Sequence, residues 1–255
     1  MEERSRVRLA KFSWLLLLAG VVFPVYFVIG AGWQNPDDPQ VLANTARVVT
    51  ALDRSIPFAP IWIFIYGAVY TFMVLPVVTI RDGRLLRRTA MAYLLVLGVS
   101  YFVYVMYPIT TKNFRPDYLL LNDAVLWRWG AALEYFCDPP MNCLPSLHLG
   151  IAFIAGFSTW KADRFAGTIA ISFAALIGVS TTFVKQHYLI DVVTGVLTAL
   201  VAYAIFIRSL PRPARGSEDA HTARLGLLMY VGVYLAFVGV LGVLFLVGFR
   251  PWHAA

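Results

Sequence analysis

The chain has 255 residues, of which 60% are hydrophobic, 15% aromatic and only 14% charged. A soluble domain carries roughly 45–50% apolar and about 25% charged residues, so this composition excludes an ordinary soluble protein. The formal charge of +7 would by itself suit a nucleic-acid partner, but the basic residues cluster between apolar segments, where they signal membrane topology. We therefore predict a single integral membrane domain over residues 1–255 and no binding of nucleic acid.

Seven apolar segments approach the length of about 20 residues that a helix needs to cross the hydrocarbon. They are Phe12–Gly32, Ala59–Ile80, Thr89–Pro108, Leu147–Trp160, Phe165–Val184, Tyr188–Ile207 and Leu225–Phe249. The predicted fold is an all-α, polytopic transmembrane helix bundle of about seven spans. The last span, 225–249, contains no charged residue, so we expect it to lie at the periphery of any functional site.

The distribution of basic residues predicts the orientation of the bundle. With the N-terminus in the cytoplasm, the cytoplasmic side comprises the N-terminal tail and three polar connections, 81–88, 161–164 and 208–224. Together these segments hold 14 of the 21 Lys and Arg residues. Positive residues favour the cytoplasmic side, where anionic membrane lipids are their expected partners. The long connection 109–145 and the segment edges at His148 and His187 then fall on the extracytoplasmic side.

His187 stands at the edge of an apolar segment, and Asp191 follows it by one helical turn. An aspartate inside a span costs about 2.5–3.5 kcal/mol on insertion scales, which makes it a functional candidate. On one helix face, Asp191 can accept a hydrogen bond from Nδ1–H of His187 and leave Nε2 with a free lone pair, as a nucleophilic imidazole requires. The alternative is a purely structural His–Asp pair.

His148 begins another apolar segment, directly after Pro145, Ser146 and Leu147. Proline and serine are typical of a helix N-terminus, whose free backbone N–H groups and dipole attract anions. An imidazole at such a terminus can give a proton to a leaving oxygen. The alternative for an isolated histidine here is an interfacial side chain bound to water.

Three cations lie on the same predicted side, namely Lys112, Arg115 and Lys185. A guanidinium holds two phosphate oxygens at once, and charge that develops on phosphorus calls for such donors. Each of these residues alone is more typical of an anchor at the membrane interface. Together with the histidines, they predict a site that handles phosphate at the membrane surface.

The long connection 109–145 also contains a predicted helix over 124–136 and both cysteines of the chain. The helix mixes aromatic and charged residues, which is typical of a helix in the interface or of an ordinary surface helix. Cys137 and Cys143 form either a disulfide, which an oxidising compartment permits, or two free thiols. A metal site is not expected, since no further Cys or His pair accompanies them.

In this order, the residues resemble the three motifs of the phosphatidic acid phosphatase type 2 superfamily, which comprises lipid phosphatases and phosphotransferases. Those motifs are Lys-x6-Arg-Pro, Pro-Ser-Gly-His and Ser-Arg-x5-His-x3-Asp. The matching residues are Arg115-Pro116, Pro145-Ser146-Leu147-His148, and Ser180-Thr181 with His187 and Asp191. The resemblance extends from about Leu94 to Leu210 and implies a six-helix core within the bundle, with the motifs in 112–191.

The resemblance implies a mechanism without a metal or other cofactor. His187, oriented by Asp191, would attack phosphorus and form a phosphohistidine, while His148 would protonate the leaving group. Ser146 and Arg115 would hold the phosphate. Water or an alcohol would then accept the phosphoryl group, and the substrate would be an amphiphilic lipid phosphate or phospholipid.

The chain departs from the motifs at Pro108, Leu147 and Thr181, where the family has Lys, Gly and Arg. Lys112 and Lys185 are candidates to replace the two missing cations. Leu147 and the smaller number of cations resemble the inositol phosphorylceramide synthase branch, which moves a phospho-headgroup between lipids, because a phosphodiester carries only one negative charge. Two alternatives of other classes are a proton-coupled transporter and a membrane scaffold without activity.

Overall fold

The computed structural model describes residues 11, 23–32, 35–121, 123–214 and 216–253. Most of the first predicted span, 12–32, lies outside these residues. Its described part consists of a short helix, Phe23–Phe27, and a π-helical turn, Val28–Gly32. Everything else in the described chain is helix, 3₁₀ turn or connecting segment.

The α-helices are numbered in chain order. They are α1 Phe23–Phe27, α2 Pro39–Val48, α3 Ala51–Ser55, α4 Ile63–Gly67, α5 Val69–Phe72, α6 Leu75–Thr79, α7 Gly83–Met106, α8 Leu126–Cys137, α9 Leu147–Ala162, α10 Arg164–Phe183, α11 Leu189–Phe206 and α12 Glu218–Leu246. Single 3₁₀ turns occupy Pro60–Trp62, Tyr118–Leu120 and Pro251–His253.

Four helical segments in the described chain are long and apolar enough to cross a membrane, namely Gly83–Met106, Arg164–Phe183, Leu189–Phe206 and Glu218–His253. This confirms the predicted all-α membrane bundle and shows an integral membrane protein. With 16 residues, α9 is shorter than the roughly 20 residues that a full crossing needs.

The predicted span 59–80 is divided into three short helices, α4, α5 and α6, instead of one continuous helix. Two causes are visible in the backbone. Around Ala68 the chain tightens into i→i+3 bonds, with the Ala68 N–H donating to the carbonyl of Ile65 at 3.3 Å. Further on, Pro76 has no N–H to donate, which interrupts the ladder of hydrogen bonds at the start of α6.

The centre of the bundle is α9, which packs against α7, α10 and α11. Most of its side chains are buried, including Leu149 and Ile154, as expected for a helix that is apolar all round. The approach of α11 is close at Gly195, where a Cβ atom would lie 2.5 Å from the carbonyl oxygen of Ser146. Glycine at 195 therefore permits the contact that sets the position of the α9 N-terminus.

Replacing Gly195 with alanine is expected to lower thermal stability, because the added methyl group overlaps backbone and overpacking costs about 1–3 kcal/mol. Gly239 in α12 is a matched control, since nothing lies within 4 Å of a Cβ built there. Thermal unfolding in detergent should show a lower midpoint for Gly195→Ala and an unchanged or higher one for Gly239→Ala. Equal midpoints for the two variants would contradict the close contact.

Candidate active site

The two predicted histidines meet at the N-terminal ends of α9 and α11. His148 is the second residue of α9, and His187 lies in the connection between α10 and α11. Nδ1 of His148 is 3.0 Å from Nε2 of His187, and the ring centroids are 5.4 Å apart. His187 is only 3% exposed, whereas His148 is half-buried. The structure therefore brings the two imidazoles into direct contact.

A helix-terminating turn delivers His187 to this position. The N–H of Gln186 donates to the carbonyl of Thr181 at 2.9 Å and that of Lys185 to Thr182 at 3.3 Å, with Lys185 in the left-handed conformation at φ 56°. This pair of bonds is the Schellman arrangement that closes a helix. It ends α10 and turns the chain so that His187 faces the start of α9.

Asp191 lies beside His187, as the i,i+4 spacing predicts. Its Oδ2 is 3.4 Å from Nδ1 of His187. The two groups are not aligned as a hydrogen bond, which differs from the prediction, because Oδ2 instead accepts the N–H of Tyr188 at 2.9 Å. The capping contact holds the carboxylate in the first turn of α11, next to the imidazole ring.

Ser146 links the two helix starts. Its backbone N–H donates to the carbonyl of Asp191 at 3.0 Å, and its hydroxyl accepts the N–H of Leu149 at 3.4 Å as the N-cap of α9. The side chain is fully buried. These bonds fix the N-terminus of α9, and with it His148, relative to Asp191 and His187.

Arg115 is held next to the histidines by backbone carbonyls. Its Nη1 donates to the carbonyl of Asp138 at 2.8 Å and its Nη2 to that of Pro139 at 3.4 Å, while its Nε is buried without a partner in the described residues. Burial, and after it the positive charge of Arg115, lowers the pKa of His187 to about 3. At neutral pH His187 is therefore uncharged and keeps a ring lone pair, as a nucleophile needs.

The two candidate replacement cations, Lys112 and Lys185, bind groups other than the histidines. Lys112 is half-exposed and forms an ion pair with Asp37 at 2.5 Å. The ammonium of Lys185 lies 4.2 Å from the centroid of the Phe114 ring and donates to the carbonyls of Asp53 and Ile56. Neither lysine contacts His148 or His187 in the described structure.

Three tyrosines that the sequence interpretation did not single out surround His148. The ring centroids of Tyr66, Tyr70 and Tyr26 lie 5.4, 6.1 and 6.3 Å from that of His148, all in edge-to-face geometry. They come from α4, α5 and α1, so no local pattern in the sequence connects them. A cavity of about 50 Å³ lies between two of these tyrosines, Tyr26 and Tyr70, and the first two turns of α9.

Two buried carboxylates stand behind these tyrosines. Asp138 accepts the hydroxyls of Tyr26 at 2.8 Å and Tyr66 at 3.4 Å, and Glu134 accepts the hydroxyl of Tyr70 at 2.5 Å. Burial and the neighbouring Asp138 raise the pKa of Glu134. We call Tyr26, Tyr66, Tyr70, Glu134 and Asp138 the tyrosine–carboxylate wall. Its one signal in the sequence is the pair of acidic residues four apart at the end of α8.

The helix that carries Glu134 is α8, Leu126–Cys137, close to the predicted helix 124–136. Cys137 at its end is exposed, and Cys143 is buried with its Sγ 3.5 Å from the carbonyl of Pro140. Both are free thiols, so of the two predicted alternatives, a disulfide or two free thiols, the structure has the free thiols. Within the described chain, no three His, Cys, Asp or Glu side chains form a group that could hold a metal ion.

Comparison with known proteins identifies the family of the chain. The family model described as the PAP2 superfamily matches residues 40–205, a range that includes His148, His187 and Asp191. An uncharacterized protein of Methanocaldococcus jannaschii is 21% identical over 229 residues, covering 80% of this chain and 84% of the relative. No solved structure matches the chain. The match over well more than half of the sequence shows that the chain belongs to the PAP2 superfamily, with a function of the phosphatase or phosphotransferase type.

Proposed function

We propose that this protein is a lipid phosphatase or phosphotransferase that works without a metal, through a phosphohistidine formed on His187. The observation that carries the proposal is the contact of 3.0 Å between Nδ1 of His148 and Nε2 of His187, with Asp191 beside the second ring. Two imidazoles in contact, one of them buried beside a carboxylate, are the groups that a two-step phosphoryl transfer requires.

In the first step, the lone pair on Nε2 of His187 attacks phosphorus as the bond from phosphorus to the leaving oxygen breaks. His148, in its protonated form, gives a proton to that oxygen and becomes neutral, so the leaving group departs as a neutral alcohol. Asp191 stabilises the positive charge that develops on the His187 ring. Arg115 and the N-terminus of α9 at Ser146 face the negative charge of the phosphoryl oxygens.

In the second step, His148 takes a proton from water or from an acceptor alcohol, whose oxygen attacks the phosphohistidine. The bond between nitrogen and phosphorus breaks, and the electron pair returns to Nε2 of His187. Water as the acceptor makes the reaction a hydrolysis, whereas a lipid alcohol makes it a headgroup transfer. The same residues serve both reactions, so the acceptor decides the class of product.

A phosphodiester donor is the second candidate, as in the inositol phosphorylceramide synthase-like branch. Lys112 and Lys185 are engaged away from the histidines, while the carboxylate of Asp138 lies in the wall around His148. This balance suits a donor with one negative charge better than a phosphomonoester with nearly two, because each unpaired negative charge in a buried site is costly. Leu147 at the second-motif glycine position is consistent with the same branch.

We further propose that the site opens on the extracytoplasmic side and that the N-terminus is cytoplasmic. The support is the division of basic residues, 14 against seven, between the two sides of the bundle. An active site at the membrane surface suits an amphiphilic substrate, whose acyl chains stay in the lipid while the headgroup reaches the histidines.

The test is purified protein in detergent with two donors, phosphatidic acid as a phosphomonoester and phosphatidylinositol as a phosphodiester, each with and without a ceramide acceptor. Free phosphate and new lipid species are measured together, with His187→Ala as the blank. A phosphatase releases phosphate from phosphatidic acid, and a transferase forms a new phospholipid only when the acceptor is present. Products that form equally with the blank would contradict catalysis by this site.

A further inference from the structure

A second cavity, of about 580 Å³, lies at the end of α9 remote from the histidines. Its walls are the last turn of α9, the start of α10, the connection after α11 and the beginning of α12. Lys161 in this wall is 13 residues along α9 from His148, which corresponds to roughly 20 Å along the helix axis. The cavity is therefore separate from the candidate active site.

The lining of this cavity is strongly positive. It contains four cations, Lys161, Arg164, Arg212 and Arg224, and one carboxylate, Asp163. The carboxylate is already paired, because Arg224 donates to both of its oxygens at 3.2 and 3.1 Å. Three of the four cations thus have no carboxylate partner within the described part of the chain.

An adjoining cavity of about 180 Å³ shares Arg212 and contains two more acidic residues, Asp82 and Asp219. Neither forms an ion pair with Arg212 among the described residues. Asp82 instead caps α7, where it accepts the N–H of Arg84 at 2.8 Å. Arg81 lines the same cavity, so these two acids face two cations there, whereas Lys161 and Arg164 are not part of that lining.

Lys161 is the strongest sign that an anion belongs here. Its side chain is only 5% exposed, and its ammonium donates to the carbonyl of Arg208 at 2.8 Å. An ammonium has three hydrogens to donate, and a buried charge without a partner of opposite sign is costly. One neutral acceptor does not balance this charge, whereas an anion in the adjacent cavity does.

Arg212 is arranged to share the same anion. Its guanidinium carbon lies 3.9 Å from the centroid of the Trp160 ring, so the group is stacked on an aromatic face. Stacking orders a guanidinium and leaves its in-plane N–H groups available for two phosphate oxygens. Phe165, which is 63% exposed, gives the cavity an apolar edge next to these cations.

We propose that this cavity binds a phosphate group between Lys161 and Arg212, carried by an anionic phospholipid headgroup or present as free phosphate. The exposed Phe165 supplies an apolar contact for a lipid ligand. On the orientation proposed above, the cavity faces the cytoplasmic leaflet, where anionic lipids are concentrated. The proposal does not depend on the chemistry of His187.

The test compares the full chain in three environments: vesicles of phosphatidylcholine, the same vesicles with phosphatidylglycerol, and phosphatidylcholine vesicles with inorganic phosphate. Phosphatidylglycerol makes up about one lipid in five, which is enough for a strong surface potential. All proteins carry His187→Ala, so that no lipid is turned over. The added variants are Lys161→Met, Arg212→Gln and, as a control of equal charge, Arg88→Gln on the exposed face of α7. The readouts are the shift in thermal midpoint and the lipid that is retained in native mass spectrometry.

We expect the anion to raise the thermal midpoint of the parent protein. In Lys161→Met and Arg212→Gln, the anion concentration that gives half of this rise should be roughly 10-fold higher. In Arg88→Gln, that concentration should be unchanged. A rise with phosphatidylglycerol alone assigns the site to a lipid headgroup, and a rise with inorganic phosphate assigns it to the free anion. Lys161→Met should also be at least as stable as its parent in phosphatidylcholine alone, because it removes an unbalanced buried charge.

Two results would overturn the proposal. One is an equal loss of the anion-dependent rise in midpoint in Arg212→Gln and Arg88→Gln, which would show that surface charge in general attracts the anion. The other is a Lys161→Met protein that is less stable in phosphatidylcholine yet keeps its full response to anions, as expected if Lys161 only caps the end of α11. If Lys161→Met does not fold, the comparison between Arg212→Gln and Arg88→Gln decides.

Discussion

Replacement of His187 by alanine is expected to abolish turnover, with a loss of at least about 10⁴-fold in kcat. The reason is that the variant lacks the nitrogen on which the phosphoryl group is held, so neither step of the proposed reaction can proceed. Because the variant also loses the contact with His148 and leaves a cavity in a buried place, its folded state is checked by its thermal midpoint. The measurement is the initial rate on the donor that the wild-type protein uses.

A labelled donor gives a second measurement on the same variant. Quenching with alkali during turnover should leave phosphate bound to the wild-type chain through an acid-labile bond, and the label should be missing from His187→Ala. His221→Ala is the matched control, since this histidine is exposed on α12 and has no contact with the site. A wild-type rate in His187→Ala, or an unchanged label, would refute the proposed intermediate.

Replacement of His148 by alanine is expected to reduce the rate on a lipid alcohol leaving group by about 10²–10⁴-fold, the usual contribution of a general acid. The loss should shrink to a few-fold with a nitrophenyl phosphate donor, because an acidic phenol leaves without help from a proton donor. Comparing the two donors in wild type and variant measures this difference.

The comparison of donors also separates a chemical role of His148 from a structural one. His148 contacts His187 and three tyrosine rings, so its loss could disturb the site in general. A general disturbance lowers both rates by the same factor. Equal losses on the two donors would therefore exclude His148 as the proton donor while leaving the role of His187 untouched.

The pair of histidines could be predicted because its determinants are local. Asp191 follows His187 at a spacing that places both on one side of a helical turn, and Pro145 and Ser146 mark the helix start that carries His148. Each of these signals lies within a few residues of chain. The convergence of the two segments then follows from the match of motifs, and the structure places the rings 3.0 Å apart.

The surroundings of the histidines could not be predicted, because they are assembled from distant segments. Tyr26, Tyr66 and Tyr70 are ordinary aromatic residues in apolar runs, and only the packing of α1, α4 and α5 brings them to His148. The role of Lys185 as a replacement cation for phosphate was difficult to predict for the same reason. Its left-handed conformation and its bonds to the carbonyls of Asp53 and Ile56 depend on the turn after α10 and on a segment about 130 residues away.

The continuous span expected over 59–80 shows how the backbone limits such predictions. Hydropathy averages over the segment and registers only that it is apolar, whereas Pro76 and the tight turn at Ala68 determine whether one helix can run through it. Across this interruption Tyr66 and Tyr70, which are four residues apart, both contact the ring of His148.

The bond from the Ser146 N–H to the Asp191 carbonyl separates two parts of the surroundings of the histidines. It joins the start of α9 to the start of α11, so the relative positions of His148 and His187 depend on backbone inside the family-matched range 40–205. Tyr26, in contrast, reaches the His148 ring from α1, outside that range. Substitutions in the first helix can therefore change the aromatic contacts of His148 without moving the two imidazoles relative to each other.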